Sequence, residues 1–292
     1  MTGMVPLDAW AVAAILAKAT GYGAALLAMG GTLFLALFPE ASSMVRRVAR
    51  RLAIAAAILG LAVVAVRLGL RAARLSGQGL AGAVDPVMLS LLWQSPVGTA
   101  TAMRAMGEAL VLALLLPGWM GLVPALAGTG LVAASYGMVG HALDLPGPAF
   151  VAILAVHLLA VALWVGALAP LRHAASGPEG VALLERFGRI AVWVVAGLLA
   201  AGMAMVWLLT GSLGALFGTT YGLVLLAKVA GVAGLLSLAA ANKTRLVPAL
   251  AAGRDGAAVA LRRSIAAEMA VVAAILAVTA TLTSVVTPPV NL

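Results

Sequence analysis

Eight stretches of about twenty or more apolar residues, separated by short polar punctuation, set the terms for any fold of this chain. A stretch of that length is what a helix needs to cross the hydrocarbon core of a bilayer. By that measure the spans run approximately over 9–38, 52–70, 97–116, 122–140, 149–171, 190–210, 220–241 and 265–286. Turn residues fill the gaps, among them Pro39, Pro117-Gly118, Pro146-Gly147-Pro148, Gly177-Pro178, Gly211 and Pro248. Only 9% of the residues are charged and 64% are hydrophobic, whereas a water-soluble chain carries about 25% charged residues. The sequence therefore predicts an all-α, polytopic membrane helix bundle, a single integral membrane unit over 1–292. Its N-terminal four-helix half covers 1–136 and its second half 137–292.

The net charge of +9 comes from residues placed between the spans rather than from a nucleic-acid-binding stripe. Arg46, Arg47, Arg50 and Arg51 occupy the first basic loop, and Arg172, Arg186 and Arg189 the second. Lys243, Arg245, Arg254, Arg262 and Arg263 occupy the third, making twelve on one side against Arg71 and Arg74 on the other. Cytoplasmic loops carry the excess of Lys and Arg, so both termini are expected outside, in the periplasm if the membrane is a bacterial inner membrane. The apolar run after Met1 to Asp8 is too long for a signal peptide and is read as a retained first helix. The chain has no cysteine, which excludes disulfides, thiolate metal sites and CxxC redox chemistry. No phosphate-binding GxxxxGK[ST] loop occurs, and no nucleophile–base pair or metal-hydrolase motif points to catalysis, so the chain is not expected to be an enzyme.

Function is sought where polarity intrudes on the spans. Lys18, Arg67, Arg104, Glu108, Lys228 and Glu268 all fall inside them. Each costs about 2.5–3.5 kcal/mol at a helix centre unless it finds a partner, a cavity or the interface. Arg67 lies near a span end and can snorkel. Arg104 and Glu108, four apart, share a helix face and are expected to neutralise each other. Glu268, near the basic-side start of the last predicted span, is placed to pair with a loop arginine. Lys18, Arg104 and Lys228 form a cationic layer in the outer half, with Glu108 just beneath.

Of the three histidines, His141 closes the fourth span at the outer surface and His157 lies about eight residues into the fifth. His173 falls past the inner end of that span, about 24 Å from His157 along the axis, and is read as an interfacial loop residue. Trp164 shares a face with His157 at i+7, Met103 and Met106 are three apart on the third span, and Met138 precedes His141. Imidazole and thioether suit Cu(I). They are also ordinary helix contents, so these residues alone leave a transport or cofactor site in the outer half.

The stretch His157-Leu158-Leu159-Ala160-Val161-Ala162-Leu163-Trp164-Val165-Gly166-Ala167-Leu168-Ala169-Pro170-Leu171 resembles the HxxAxxxWxGxLxPL signature of the CopD family of bacterial copper-resistance membrane proteins. Gly140-His141-Ala142 resembles the GHA motif before it. Phe187-Gly188-Arg189-Ile190-Ala191, Thr210-Gly211, Thr220-Tyr221-Gly222 with Lys228, Asn242 and Glu268 follow in the family's order. The resemblance is specific over about 137–288 and weaker before. In the third span Gln94 to Arg104 keeps Gly98 and Arg104 of a TxxGxxWxxR segment but lacks its Thr and Trp.

The resemblance implies an eight-helix inner-membrane protein handling copper, served by a separate periplasmic copper carrier of the CopC type. On that expectation copper is received near His141, with Met138 and Met4 or Met88 assisting, and passes to His157 with Met103 or Met106. Glu108 compensates the metal's charge, and Lys18, Arg104, Trp164, Lys228 and Glu268 form the surrounding polar network. The cationic layer is at odds with cation entry and suits an anion. A b-type haem with its propionates at that level is thus the alternative, though His141 lies about 12 Å shallower than His157, which strains bis-histidine ligation. A non-transporting partner that docks the carrier or senses copper is a third expectation.

Overall fold

The computed structural model describes residues 8–139, 148–210, 217–218 and 220–285. Among them there is no strand. The helices are α1 (Ala9–Leu37), α2 (Ser43–Ser76), α3 (Pro86–Trp93), α4 (Pro96–Val111), α5 (Gly118–Ser135), α6 (Pro148–Ala174), α7 (Val181–Thr210), α8 (Thr220–Ala241), α9 (Val247–Ala251) and α10 (Ala257–Val285). Short 3-10 turns extend α4 through Leu115 and α5 through Met138. A π-helical turn, Asn242–Leu246, joins α8 to α9. Eight helical stretches among the described residues are long and apolar enough to cross a membrane. The fold is the expected polytopic helical bundle.

Helix starts follow local chemistry. Asp8 caps α1 by accepting from the Ala11 N–H at 2.7 Å. Asp85 accepts from the N–H groups of Val87 and Met88 ahead of α3, and Ser95 from that of Val97 ahead of α4, each with proline at the first helical position. These satisfy N–H groups that no helical carbonyl can reach. Several helices outrun the apolar ruler. α2 has 34 residues, about 51 Å of helix against about 30 Å of hydrocarbon. Its first turns carry the arginines of the first basic loop and its last turns Arg71 and Arg74.

The basic loops do more than orient the chain. Arg46 donates to the carbonyls of Leu35 and Phe38, both at 3.3 Å, at the end of α1. Arg50 donates to the carbonyls of Leu114, Leu115 and Leu116 at the end of α4. Arg186 at the start of α7 donates to the Leu37 carbonyl at 3.0 Å, lies over the Phe38 ring and pairs with Glu40. Cations at helix C-termini meet unsatisfied carbonyls and the negative end of the helix dipole. A hydrogen bond from its own backbone, and then the Arg186 guanidinium, hold the Glu40 carboxyl below the usual carboxylate range.

α1 is the hub of the bundle, packed chiefly on α2 and α6 and also on α10 and α5. Its adjacent glycines explain how it serves two neighbours. A Cβ at Gly30 would collide with the Ala162 carbonyl of α6, and one at Gly31 would lie 2.8 Å from the Ala53 Cβ of α2. Small residues at such crossings let backbones approach where lipid supplies no hydrophobic drive. Met29, Phe34 and Phe38 fill the core beside them. By contrast α7 packs mainly on α6 and α8 mainly on α10, and both present large side chains outward, with Trp193 79% exposed. Lipid is the natural cover for those faces.

Candidate functional site

The glycine crossings put the polar residues on one depth scale. Gly30 meets Gly166, and Gly31 meets Ala53, so α1, α6 and α2 are in register there. Gly60 of α2 meets Glu108 of α4, which brings α4 onto the same scale. Counting from Gly31 toward the side away from the basic loops, Trp164 stands about 4–5 Å up, Glu108 about 10 Å, His157 about 15 Å, Arg104 about 16 Å, Lys18 about 20 Å and Arg67 about 21 Å. His157 thus lies level with the lower edge of a cationic layer. By this count Glu108 lies about 6 Å beneath Arg104.

His157 projects from the outer half of α6. Its Nδ1 is buried and has no hydrogen-bond partner. Lys228 of α8 is the neighbour whose charge acts on it. On the outer side of α6, Ala152, Ile153 and Val156 line an apolar cleft of about 390 Å³ with Ala200, Ala201 and Ala204 of α7. An imidazole nitrogen left free in an apolar setting is a donor atom available to a ligand, because a buried polar atom is ordinarily satisfied within the protein.

Two turns deeper, three buried polar side chains from separate helices converge. Trp164 of α6 donates its indole N–H to Glu268 Oε2 at 3.3 Å. The Asn242 amide, at the start of the π-helical turn, donates to Glu268 Oε1. Trp164, Asn242 and Glu268 are 6%, 8% and 4% exposed. The Asn242 Oδ1 is left without a partner. Glu268 therefore pairs with neutral donors and not with a loop arginine. The physical reason is that α10 begins at Ala257, eight residues before the apolar stretch, so Glu268 is carried well into the bundle. Asn242's contact with Glu268 was not legible in the sequence; its signals were a place in the family's order of motifs and a lone amide closing an apolar span.

The Arg104–Glu108 pair is also corrected. Glu108 is 1% exposed and neither carboxylate oxygen has a hydrogen-bond partner. Arg104 turns the other way, donating to Ser135 Oγ at 3.2 Å and lying 4.0 Å from the Tyr136 ring centroid. Both side chains tilt toward the N-terminus of α4, but Ser135 and the Tyr136 ring hold the Arg104 guanidinium away from Glu108. Glu108 sits instead against Gly60, where a Cβ would lie 2.7 Å from its Oε1.

The remaining candidates are dispersed. Met106 is 57% exposed on the outside of α4, a helix packed chiefly on α5 and α2 rather than on α6. Met103 is half-buried on the same helix. Met138 belongs to the turn Tyr136–Met138, which packs against both α4 and α6. Gly137 of that turn lies against Val151, six residues before His157. Lys18 donates to the Thr283 carbonyl at 2.6 Å. His173 is exposed at the basic end of α6. His141 and Met4 lie outside the described residues. Among the described residues, no three His, Cys, Asp or Glu side chains form a group able to hold a metal ion.

Comparison with known families assigns both ends of the chain. Residues 7–149 match the family described as copper resistance protein D-like, N-terminal domain. Residues 181–282 match copper resistance protein D. The His157–Leu171 stretch lies between the two matched segments. No curated protein matches the chain, and no solved structure does. The two matched segments leave little of the bundle uncovered, and the chain belongs to the CopD family of copper-resistance membrane proteins.

Proposed function

We propose that this copper-resistance membrane protein moves copper, its substrate, from the periplasm toward the cytoplasm through the outer half of the bundle and past His157. The observation that carries the proposal is the buried, unpartnered Nδ1 of His157 at that depth. Imidazole suits copper in either oxidation state, and thioether sulfur adds a preference for Cu(I). Met138 is the thioether best supported as a companion, because its turn rests on α6. Met103 stands behind it on α4, and Met106, facing outward, contributes less. His141 completes the proposed entry, where a CopC-type carrier of the periplasm would deliver the metal to a protein of the bacterial inner membrane.

Below His157, the Trp164–Glu268–Asn242 cluster holds α6, α8 and α10 together. In this proposal it positions α6 rather than binding the metal. Glu108 supplies negative charge near the path, and Lys228 and Arg104 orient the polar network around it.

The test is elemental analysis and an absorption spectrum on the detergent-purified protein, wild type beside His157→Ala. Copper near one equivalent in the wild type, lost in the variant, supports the proposal. Iron with a Soret band replaces it with haem binding. Copper retained in full by the variant removes His157 from the path.

A further inference from the structure

Four cations meet in the outer half of the N-terminal bundle. Lys18 comes from α1, Arg67 and Arg71 from α2, and Arg104 from α4. Each acts electrostatically on others of the set: Lys18 feels Arg67, Arg71 and Arg104, and Arg71 feels Arg67 and Arg104. None of the four forms an ion pair with a carboxylate among the described residues, where Arg186–Glu40 is the ion pair found. Glu108, on Arg104's own helix, turns to Gly60 instead.

Neutral groups tie the cluster together. Arg104 is stacked over Tyr136, whose ring lies 5.7 Å from that of Tyr22. The Tyr22 hydroxyl lies 3.3 Å from Thr283 Oγ1, and Lys18 donates to the Thr283 carbonyl. The Arg67 side chain lies against α1 at Gly21. Two donors in this cluster are buried and unused, Arg104 Nη2 and the Tyr136 hydroxyl. Like charges in mutual reach repel one another, and the repulsion is stronger away from bulk water. Unused buried donors add the cost of a lost hydrogen bond. Both costs are removed by one occupant, an anion with several acceptor oxygens.

We propose that Lys18, Arg67, Arg71 and Arg104 bind a phosphate-class oxyanion, with Tyr136 donating a further hydrogen bond. Guanidinium groups offer paired N–H donors that match such oxygens. Arg71, exposed one turn above Arg67, opens the site toward the outer interface. The anion comes either from the headgroup of an anionic phospholipid or from free phosphate. The site shares Arg104 and the Tyr136–Met138 turn with the network placed beside the proposed copper path, and its test reads anion binding without copper.

The experiment uses the full chain in nanodiscs of phosphatidylcholine, with and without phosphatidylglycerol, titrated with inorganic phosphate against chloride at equal ionic strength. The readout is the melting temperature, with retained lipid counted by native mass spectrometry. The proposal expects saturable stabilisation by phosphate in phosphatidylcholine if the free ion is the ligand. It expects stabilisation by phosphatidylglycerol with a retained lipid if the headgroup is. The double variant Arg67→Gln, Arg104→Gln loses the effect. Lys18→Gln, which keeps a donor for the Thr283 carbonyl, weakens binding by about tenfold, the size of one charge-assisted hydrogen bond. Arg47→Gln, on the basic side, leaves it unchanged. Absence of stabilisation by either source, or equal binding by Lys18→Gln and the wild type, overturns the proposal.

Discussion

Gly166 faces only backbone across the α1–α6 crossing, and replacing it by alanine is the sharpest test of how the helices are held. A Cβ there would lie 2.5 Å from the Gly30 Cα and 2.6 Å from the Gly31 nitrogen. The nearest atom, the Gly30 carbonyl carbon, would lie at 2.4 Å and ordinary contact begins near 3.4 Å, so α1 and α6 must separate by about 1 Å at the crossing. The obstructing atoms are backbone, and no side chain can swing aside. A gap of 0.5–1 Å forfeits roughly a quarter to a half of each facing dispersion contact. Overpacking of this kind costs about 1–3 kcal/mol, while alanine in place of glycine returns about 0.8–1.0 kcal/mol of helix propensity. Because rigid backbone puts the cost in the upper part of its range, the net loss is about 1–2 kcal/mol, roughly a 5- to 30-fold shift in the unfolding equilibrium. Gly197→Ala on α7, where a Cβ meets nothing within 4 Å, is the matched control and should be neutral or mildly stabilising. Equilibrium unfolding in mixed micelles, followed by helicity, reads both. Equal stability of the two variants would refute the close crossing and the depth scale that rests on it.

Three further outcomes follow from the same geometry. Glu268→Ala strands the buried donors of Trp164 and Asn242 and should destabilise by about 2–5 kcal/mol, at roughly 1–3 kcal/mol per unsatisfied group. Glu268→Gln keeps an acceptor oxygen and should lose less, and thermal melts that rank the two in the opposite order contradict the cluster. Glu40 has its carboxyl held below the ordinary value of 4.5 in the folded protein. Its contribution is therefore complete above that pH and is lost as the pH falls below it. The stability difference between wild type and Glu40→Gln should vanish on acidification through that window, and a difference independent of pH would remove the link between α1 and α7. Arg50→Gln gives up donors to three carbonyls at the end of α4. It should speed hydrogen exchange in the last turn of that helix and leave that of α8 unchanged.

How much of this was legible in the sequence differs by residue. The eight crossings were, because apolar length is dictated by the bilayer itself. Their ends were less so, since helices such as α2 and α10 continue into water on charged residues that an apolar ruler does not count. That is why Glu268 looked like an interfacial residue when it is held within the bundle. The i,i+4 spacing of Arg104 and Glu108 was visible, but not the separate neighbours they take, Ser135 and Tyr136 for one and Gly60 for the other. Lys18 and Arg104 were legible as polar intrusions at a similar depth, but the company of Arg67 and Arg71 in place of Lys228 was not, nor were the tyrosines, because Tyr22 and Tyr136 meet only once α1 and α5 are packed. The importance of Gly166 was visible as a motif position, and its cause, the Gly30–Gly31 pair 135 residues or more away, only in the fold.

The central claim is that copper passes His157. Reconstitution into sealed liposomes tests it directly, by loading copper on the outer face and timing its appearance inside for wild type and His157→Ala, with both proteins shown to be equally folded by helicity. The account predicts time-dependent entry in the wild type and a fall of about tenfold or more in the variant, the cost of losing one coordinating or hydrogen-bonded contact of about 1.4 kcal/mol or greater. Equal rates in the two would contradict it.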